Sequence, residues 1–126
     1  MTPAGGLAKA RFDKAQEFLI VADTVADSTY NAAVVLAVMA GIAASDAILA
    51  HMAGWLPTSR QPHDDAPLRL RKAGYPHAAK QLQRLLAMKN VAQYQARAMS
   101  SKESEDAVTR AGRLVESARQ LLAVGG

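Results

Sequence analysis

Apolar residues recur along this chain at spacings of three and four, the period of a helix with one buried face. From about Leu7 to Val25, Phe12, Ala15, Phe18, Leu19 and Ala22 form such a stripe, with Lys9, Arg11, Lys14 and Glu17 mostly away from it. Asp27-Ser28 offers side-chain oxygens to the free amides of a second helix, expected from about Thr29 to Met52 with Gly54 as its stop. The run Ala32–Ala44 is apolar on every side, which predicts a central helix, and Gly41 within it predicts close approach by a neighbouring backbone. Pro57, Pro62, Pro67 and Gly74 then break the pattern into a long connection, within which Ala66–Lys72 can form a short helix. Tyr75-Pro76 restarts a helix, because proline at the first turn lacks only an amide that has no helical partner there. Leu82, Leu85, Leu86, Met88, Val91 and Ala92 mark its buried side to about Met99. Ser100 and Glu103 have capping-box spacing, and Ala107, Val108, Ala111, Leu114, Val115, Ala118, Leu121 and Leu122 define the buried face of the last helix.

Composition narrows the architecture. A chain of 126 residues fits one domain with one core, spanning 1–126 with a flexible leader over 1–6. Only six residues are aromatic and alanine is abundant, so packing is expected from closely approaching helices. The expected fold is an all-α, up-and-down bundle of four main helices, with the short helix in the long loop between the second and third. Absence of cysteine removes disulfides, thiolate zinc sites and thiol catalysis, and is compatible with a reducing cytosol. The apolar run is shorter than the roughly 20 residues that span a bilayer, and no secretory pattern opens the chain; a cytoplasmic protein without a membrane partner is expected.

The formal charge of +4 is unevenly spread. Residues 1–59 hold three basic and five acidic side chains, residues 60–97 eight and two, and residues 98–126 four of each. A basic middle segment attracts phosphate backbones or acidic partners in a salt-dependent way, or is a set of ordinary solvated helix faces; aromatics for base stacking are nearly missing from it.

The most informative stretch is Lys89-Asn90-Val91-Ala92-Gln93-Tyr94, followed by the serine-rich joint at Ser100-Ser101 and the last amphipathic helix. From about Ala8 to Leu122 the chain resembles HEPN domains, small four-helix proteins, many of which carry an R-x-x-A-D-Y run, a serine-capped turn and a last helix in this order. Ala92 and Tyr94 match; Lys89 stands for the arginine and Gln93 for the aspartate. HEPN ribonucleases use an arginine followed four to six residues later by a histidine, paired across two subunits, and Gln93–Ala96 supplies no histidine. Glutamine does not titrate, tyrosine keeps its proton to about pH 10, and lysine meets phosphate without arginine's planar fork. The resemblance therefore implies a degenerate, noncatalytic protein working as a homodimer or beside a small partner such as a nucleotidyltransferase-like antitoxin, in RNA-linked stress, defence or toxin-antitoxin systems. The rival expectations are an RNA-binding or metal-independent RNA-cleaving toxin using Lys89, Asn90 and Tyr94 with Arg84 and Arg97, and a helical interaction module unrelated to HEPN.

Other polar residues have two readings each. Tyr94 holds a base or closes a helix–helix contact; Asn90 contacts a ligand or bonds between helices. His63-Asp64-Asp65 is a binding fragment in the loop or the cap of the short helix. Asp46 after the apolar run is costly to bury unless paired, with Lys89 and Arg84 as candidate partners, or lies at an exposed helix edge. His51, His63 and His77 are separated by 12 and 14 residues, which forms no helical metal pair, and no glycine-rich phosphate loop occurs between strand and helix. No metal and no cofactor is expected.

Overall fold

The computed structural model describes the backbone of residues 3–53 and 62–125 and the side chains of 6–52 and 65–123. Those residues form an all-α bundle of five helices: α1 Pro3–Val25, α2 Tyr30–Ala53, α3 Pro62–Lys72, α4 Pro76–Tyr94 and α5 Ser101–Gly125. The expected stop at Gly54 lies outside the described residues.

Small side chains set the tightest packing. Ala8, Ala15 and Ala22 recur every seven residues on α1, and Ala33, Ala37, Ala40, Ala44 and Ala47 run along α2; all are fully buried. The contact between α1 and α2 is the most extensive in the fold. Alanine seams bring helix axes toward the lower end of the usual 8–10 Å spacing. On another side of α2, a Cβ at Gly41 would stand 2.6 Å from Leu85 Cδ1 and 3.3 Å from Leu114 Cδ1. The atoms nearest that position are side-chain atoms of α4 and α5, so the space at Gly41 is taken by leucine side chains and not by the neighbouring backbone that was expected.

Helices α2 and α5 form the centre: each packs on α1, on α4 and on the other, whereas α1 and α4 share no contact among the described residues. Ile48, Leu70, Leu82, Leu85 and Leu114 fill the space between alanines. The stretch Tyr30–Met52 is long and apolar enough to cross a membrane, and 72% of its most apolar window is buried inside the bundle.

Several boundaries differ from the sequence expectation. The leader expected over 1–6 is helical from Pro3, a residue suited to a first helical turn. Ser28 does not cap α2: its hydroxyl turns back to the Val25 carbonyl at 3.5 Å, and Thr29 supplies the first carbonyl of the helix, accepting from Ala33 N at 2.9 Å. Helix α3 starts four residues earlier than Ala66 and holds Pro67 inside it, at the cost of one backbone hydrogen bond. Gly74 ends this unit with φ +94°, a left-handed conformation that glycine adopts without steric cost.

Candidate functional site

Helix α4 carries most of the residues singled out by sequence. From Ala66 to Lys102 the chain has eight Lys and Arg and no Asp or Glu, so α4 has no carboxylate of its own. Its buried side is Ala78, Ala79, Leu82 and Leu85, with Leu86, Met88, Val91 and Ala92 partly buried. Lys80 and Arg84 are exposed, Lys89 is half-buried, and Asn90 is exposed. Tyr94 is 76% exposed, so it closes no helix–helix contact. Asn90 makes no side-chain hydrogen bond among the described residues, and its interhelical role is taken by another amide.

That amide is Asn31, at the start of α2. Its Nδ2 donates to the Ala92 carbonyl at 3.3 Å and its Oδ1 accepts from Met99 N at 2.9 Å. The two bonds explain why α4 ends at Tyr94 instead of near Met99. Gln95 turns to an extended conformation (φ −95°, ψ 151°), and the chain runs back so that Met99 is buried against the core. Asn31 is the only side chain of Asn, Gln, Ser, Thr or charged type between Tyr30 and Ala44. A lone amide in an apolar run was the signal available for it.

The joint into α5 forms the expected capping box. Glu103 N donates to Ser100 Oγ at 3.1 Å and Ser100 N donates to Glu103 Oε1 at 2.9 Å. Arg97 adds a two-pronged ion pair, Nη1 and Nη2 each 2.9 Å from a Glu103 oxygen. The hydrogen bond from Arg97, together with the bonds from Ser100, lowers the Glu103 carboxyl to about 2. Arg97 is thereby engaged in holding the joint. Ser104, fully buried, donates to the Ala26 carbonyl at 2.7 Å and ties α5 to the turn between α1 and α2.

Asp46 on α2 is 5% exposed, and its Oδ1 has no hydrogen-bond partner. Burial pushes its carboxyl up to about 6, opposed by the positive charge of Arg11 on α1. The expected partners, Lys89 and Arg84, form no ion pair with it; the cation that acts on Asp46 comes from the first helix. Arg11 was missed because a lysine- and arginine-bearing amphipathic helix gives no sign of which cation will lean toward a buried acid.

The remaining candidates do not converge. His77 is twelve residues from Lys89 on the same helix, about 18 Å along its axis. His51 is near the end of α2 that meets the beginning of α4, where Tyr75 Oη donates to Met52 Sδ at 3.9 Å. His63 is in the first turn of α3, and its side chain lies outside the described residues. Among the described residues no group of His, Cys, Asp or Glu is arranged to hold a metal ion. Among the described residues the arrangement is an all-helical bundle with a carboxylate-free α4 and one buried acid. No protein-family model, curated protein or solved structure matches the chain.

Proposed function

We propose that this chain is a noncatalytic, HEPN-like binding protein with an up-and-down four-helix topology, acting in the cytoplasm through association with a second copy or a small protein partner. The observation that carries this reading is the surrounding of Lys89. It has the family's arginine position, but Gln93–Ala96 supplies no histidine to move the proton of a 2′-hydroxyl, and among the described residues no carboxylate is ion-paired with it. An exposed Tyr94 and unpaired Lys80 and Arg84 on the same helix suit binding better than catalysis.

A second reading, RNA binding, is favoured by the carboxylate-free stretch Ala66–Lys102 and by Tyr94, whose exposed ring is available for stacking. One experiment separates these readings. Wild type and Lys89→Ala are incubated with mixed-structure RNA in chelator, and cleavage and retention are read at low and moderate salt. Intact, unretained RNA is the expected result. Lys89-dependent cleavage overturns the noncatalytic reading, and salt-sensitive retention without cleavage supports the second.

A further inference from the structure

Two triads of side chains meet on the outer side of the α3–α4 hairpin. On α3, Ala66 and Leu70 are buried, which turns Leu68 outward with Arg71 and Lys72 beside it, three and four residues on. On α4, Ala79 and Leu82 are buried, and Lys80 stands outward with Gln83 and Arg84 at the same spacings. Arg71 Nη2 donates to Gln83 Oε1 at 2.7 Å, and that bond joins the two triads into one surface. Leu68 is 51% exposed, and the other five side chains are exposed as well.

The cations of this surface are not neutralised by the chain. Elsewhere charge is paired locally: Lys9 with Asp13 on α1, Arg97 with Glu103 at the joint, and Arg110 with Asp106 and Arg119 with Glu116 on α5. Among the described residues Lys72, Lys80 and Arg84 form no ion pair, and the partner of Arg71 is a neutral amide. Lys80 and Arg84, like charges four residues apart, weaken the helix that carries them. A surface kept for solubility intersperses both signs, as α5 does, whereas here four cations surround one exposed leucine.

We infer that this surface takes an acidic segment of a protein partner, one that sets Asp and Glu side chains around a large apolar residue meeting Leu68; the inference rests on the association reading above and narrows its partner. Charge complementarity selects an anionic occupant, and Leu68 selects a protein. A phosphate backbone brings no apolar group to a leucine, whereas a protein interface places apolar contacts inside a polar rim. Base stacking has no ring here. None of the six side chains is aromatic, Tyr75 in the turn is half-buried and donates to Met52, and Tyr94 is ten residues beyond Arg84, about 15 Å along α4. A second copy is not the complement either. Glu17 and Asp23, which are in no ion pair, lie about 120° apart around α1, and unpaired Glu105 is on α5, so these acids share no face. A face of this size suits a weak, reversible encounter, with a dissociation constant on the order of 10⁻⁵ M at low salt.

Fluorescence anisotropy of the full chain with a labelled helical peptide tests this. The probe is about 20 residues of glutamate and alanine with one stripe of leucine, titrated at low and physiological salt. Wild type is expected to bind it, more weakly as salt rises. Arg84→Glu, which places an opposite charge four residues from Lys80 and keeps wild-type helicity, is expected to weaken binding about tenfold. Leu68→Ala removes a half-exposed side chain and is expected to weaken it about threefold at either salt. Lys14→Glu makes the same change of net charge on α1, which contacts neither α3 nor α4 among the described residues, and is expected to stay within about twofold of wild type. An unbound peptide, or a loss with Lys14→Glu equal to that with Arg84→Glu, overturns the inference. So does a labelled RNA hairpin that binds more tightly than the peptide and is weakened by Arg84→Glu but not by Leu68→Ala. Intact RNA with an unbound peptide would defeat this surface and leave the noncatalytic reading standing; Lys89-dependent RNA cleavage with Leu68-dependent peptide binding would do the reverse.

Discussion

Met99 donates its backbone amide to the Oδ1 of Asn31 at 2.9 Å, across 68 positions of sequence. The same side chain donates to Ala92, so one amide closes the end of α4 and the start of the joint into α5. Replacing it with alanine leaves a part-buried amide and a part-buried carbonyl without partners, at about 1–3 kcal/mol for each unsatisfied group with partial relief by water. Asn31→Ala is expected to lose about 2–3 kcal/mol in urea unfolding. Asn31→Asp keeps the acceptor for Met99 but sets a carboxylate against the Ala92 carbonyl, and should not restore the loss.

Gly41 and Gly112 make a matched pair, each inside a helix with opposite surroundings. A Cβ at Gly41 meets Leu85 and Leu114, both fully buried, while a Cβ at Gly112 meets nothing within 4 Å. Replacing glycine by alanine in a helix gains about 0.8–1 kcal/mol where space is free, and overpacking a core costs about 1–3 kcal/mol. Gly112→Ala is therefore expected to raise the thermal midpoint. Gly41→Ala should lower it or leave it unchanged, and Gly41→Val should lower it clearly.

The helices themselves were legible because each has its own apolar period and buries it: Ala107, Ala111, Leu114, Val115 and Ala118 of α5 all reach full burial. At Gly41 the crowding was legible but not its source, since side chains of Leu85 and Leu114 fill the space in place of a neighbouring backbone. The end of α4 was not, since Val91 to Met99 continues a helical pattern and the chain leaves it for a bond to Asn31, which local spacing does not encode. The site was less legible for a related reason. Tyr94 and Asn90 have side chains equally suited to a buried rim or to solvent, and it is the termination of α4 at Tyr94 that leaves the ring exposed.

Asp46 gives the fold an unusual pH dependence. Its carboxyl is raised to about 6 by burial, above the range of an unfolded aspartate near 3.9, so the native state prefers the protonated form. That contribution is fully present below about pH 4 and is lost as pH rises through 6. Partial solvent screening reduces the full two-unit value, leaving on the order of 2 kcal/mol between pH 4 and 8. Urea unfolding at pH 5, 6.5 and 8 is expected to show a steeper loss for wild type than for Asp46→Asn, which cannot ionise; parallel curves for the two proteins would dispose of the assignment.

Glu103 produces the opposite slope in a lower window. Hydrogen bonds from Arg97 and Ser100 hold its carboxyl at about 2, below its ordinary 4.5, so its contribution is complete above pH 4.5 and is lost as pH falls toward 2. Two variants divide this joint. Ser100→Ala removes the hydroxyl that accepts from Glu103 N and is expected to cost about 1 kcal/mol above pH 4.5, most of it retained at lower pH because the hydroxyl is only a lesser cause of the lowered Glu103 carboxyl. Glu103→Gln keeps an oxygen for Ser100 N but gives up the ion pair with Arg97, so its deficit relative to wild type should be present at pH 6 and shrink as the wild-type carboxylate protonates toward pH 2. Thermal unfolding followed by circular dichroism from pH 2 to 6 reads both. A Glu103→Gln deficit that stays constant across that range would assign the stabilisation to packing at the joint in place of the Arg97 pair.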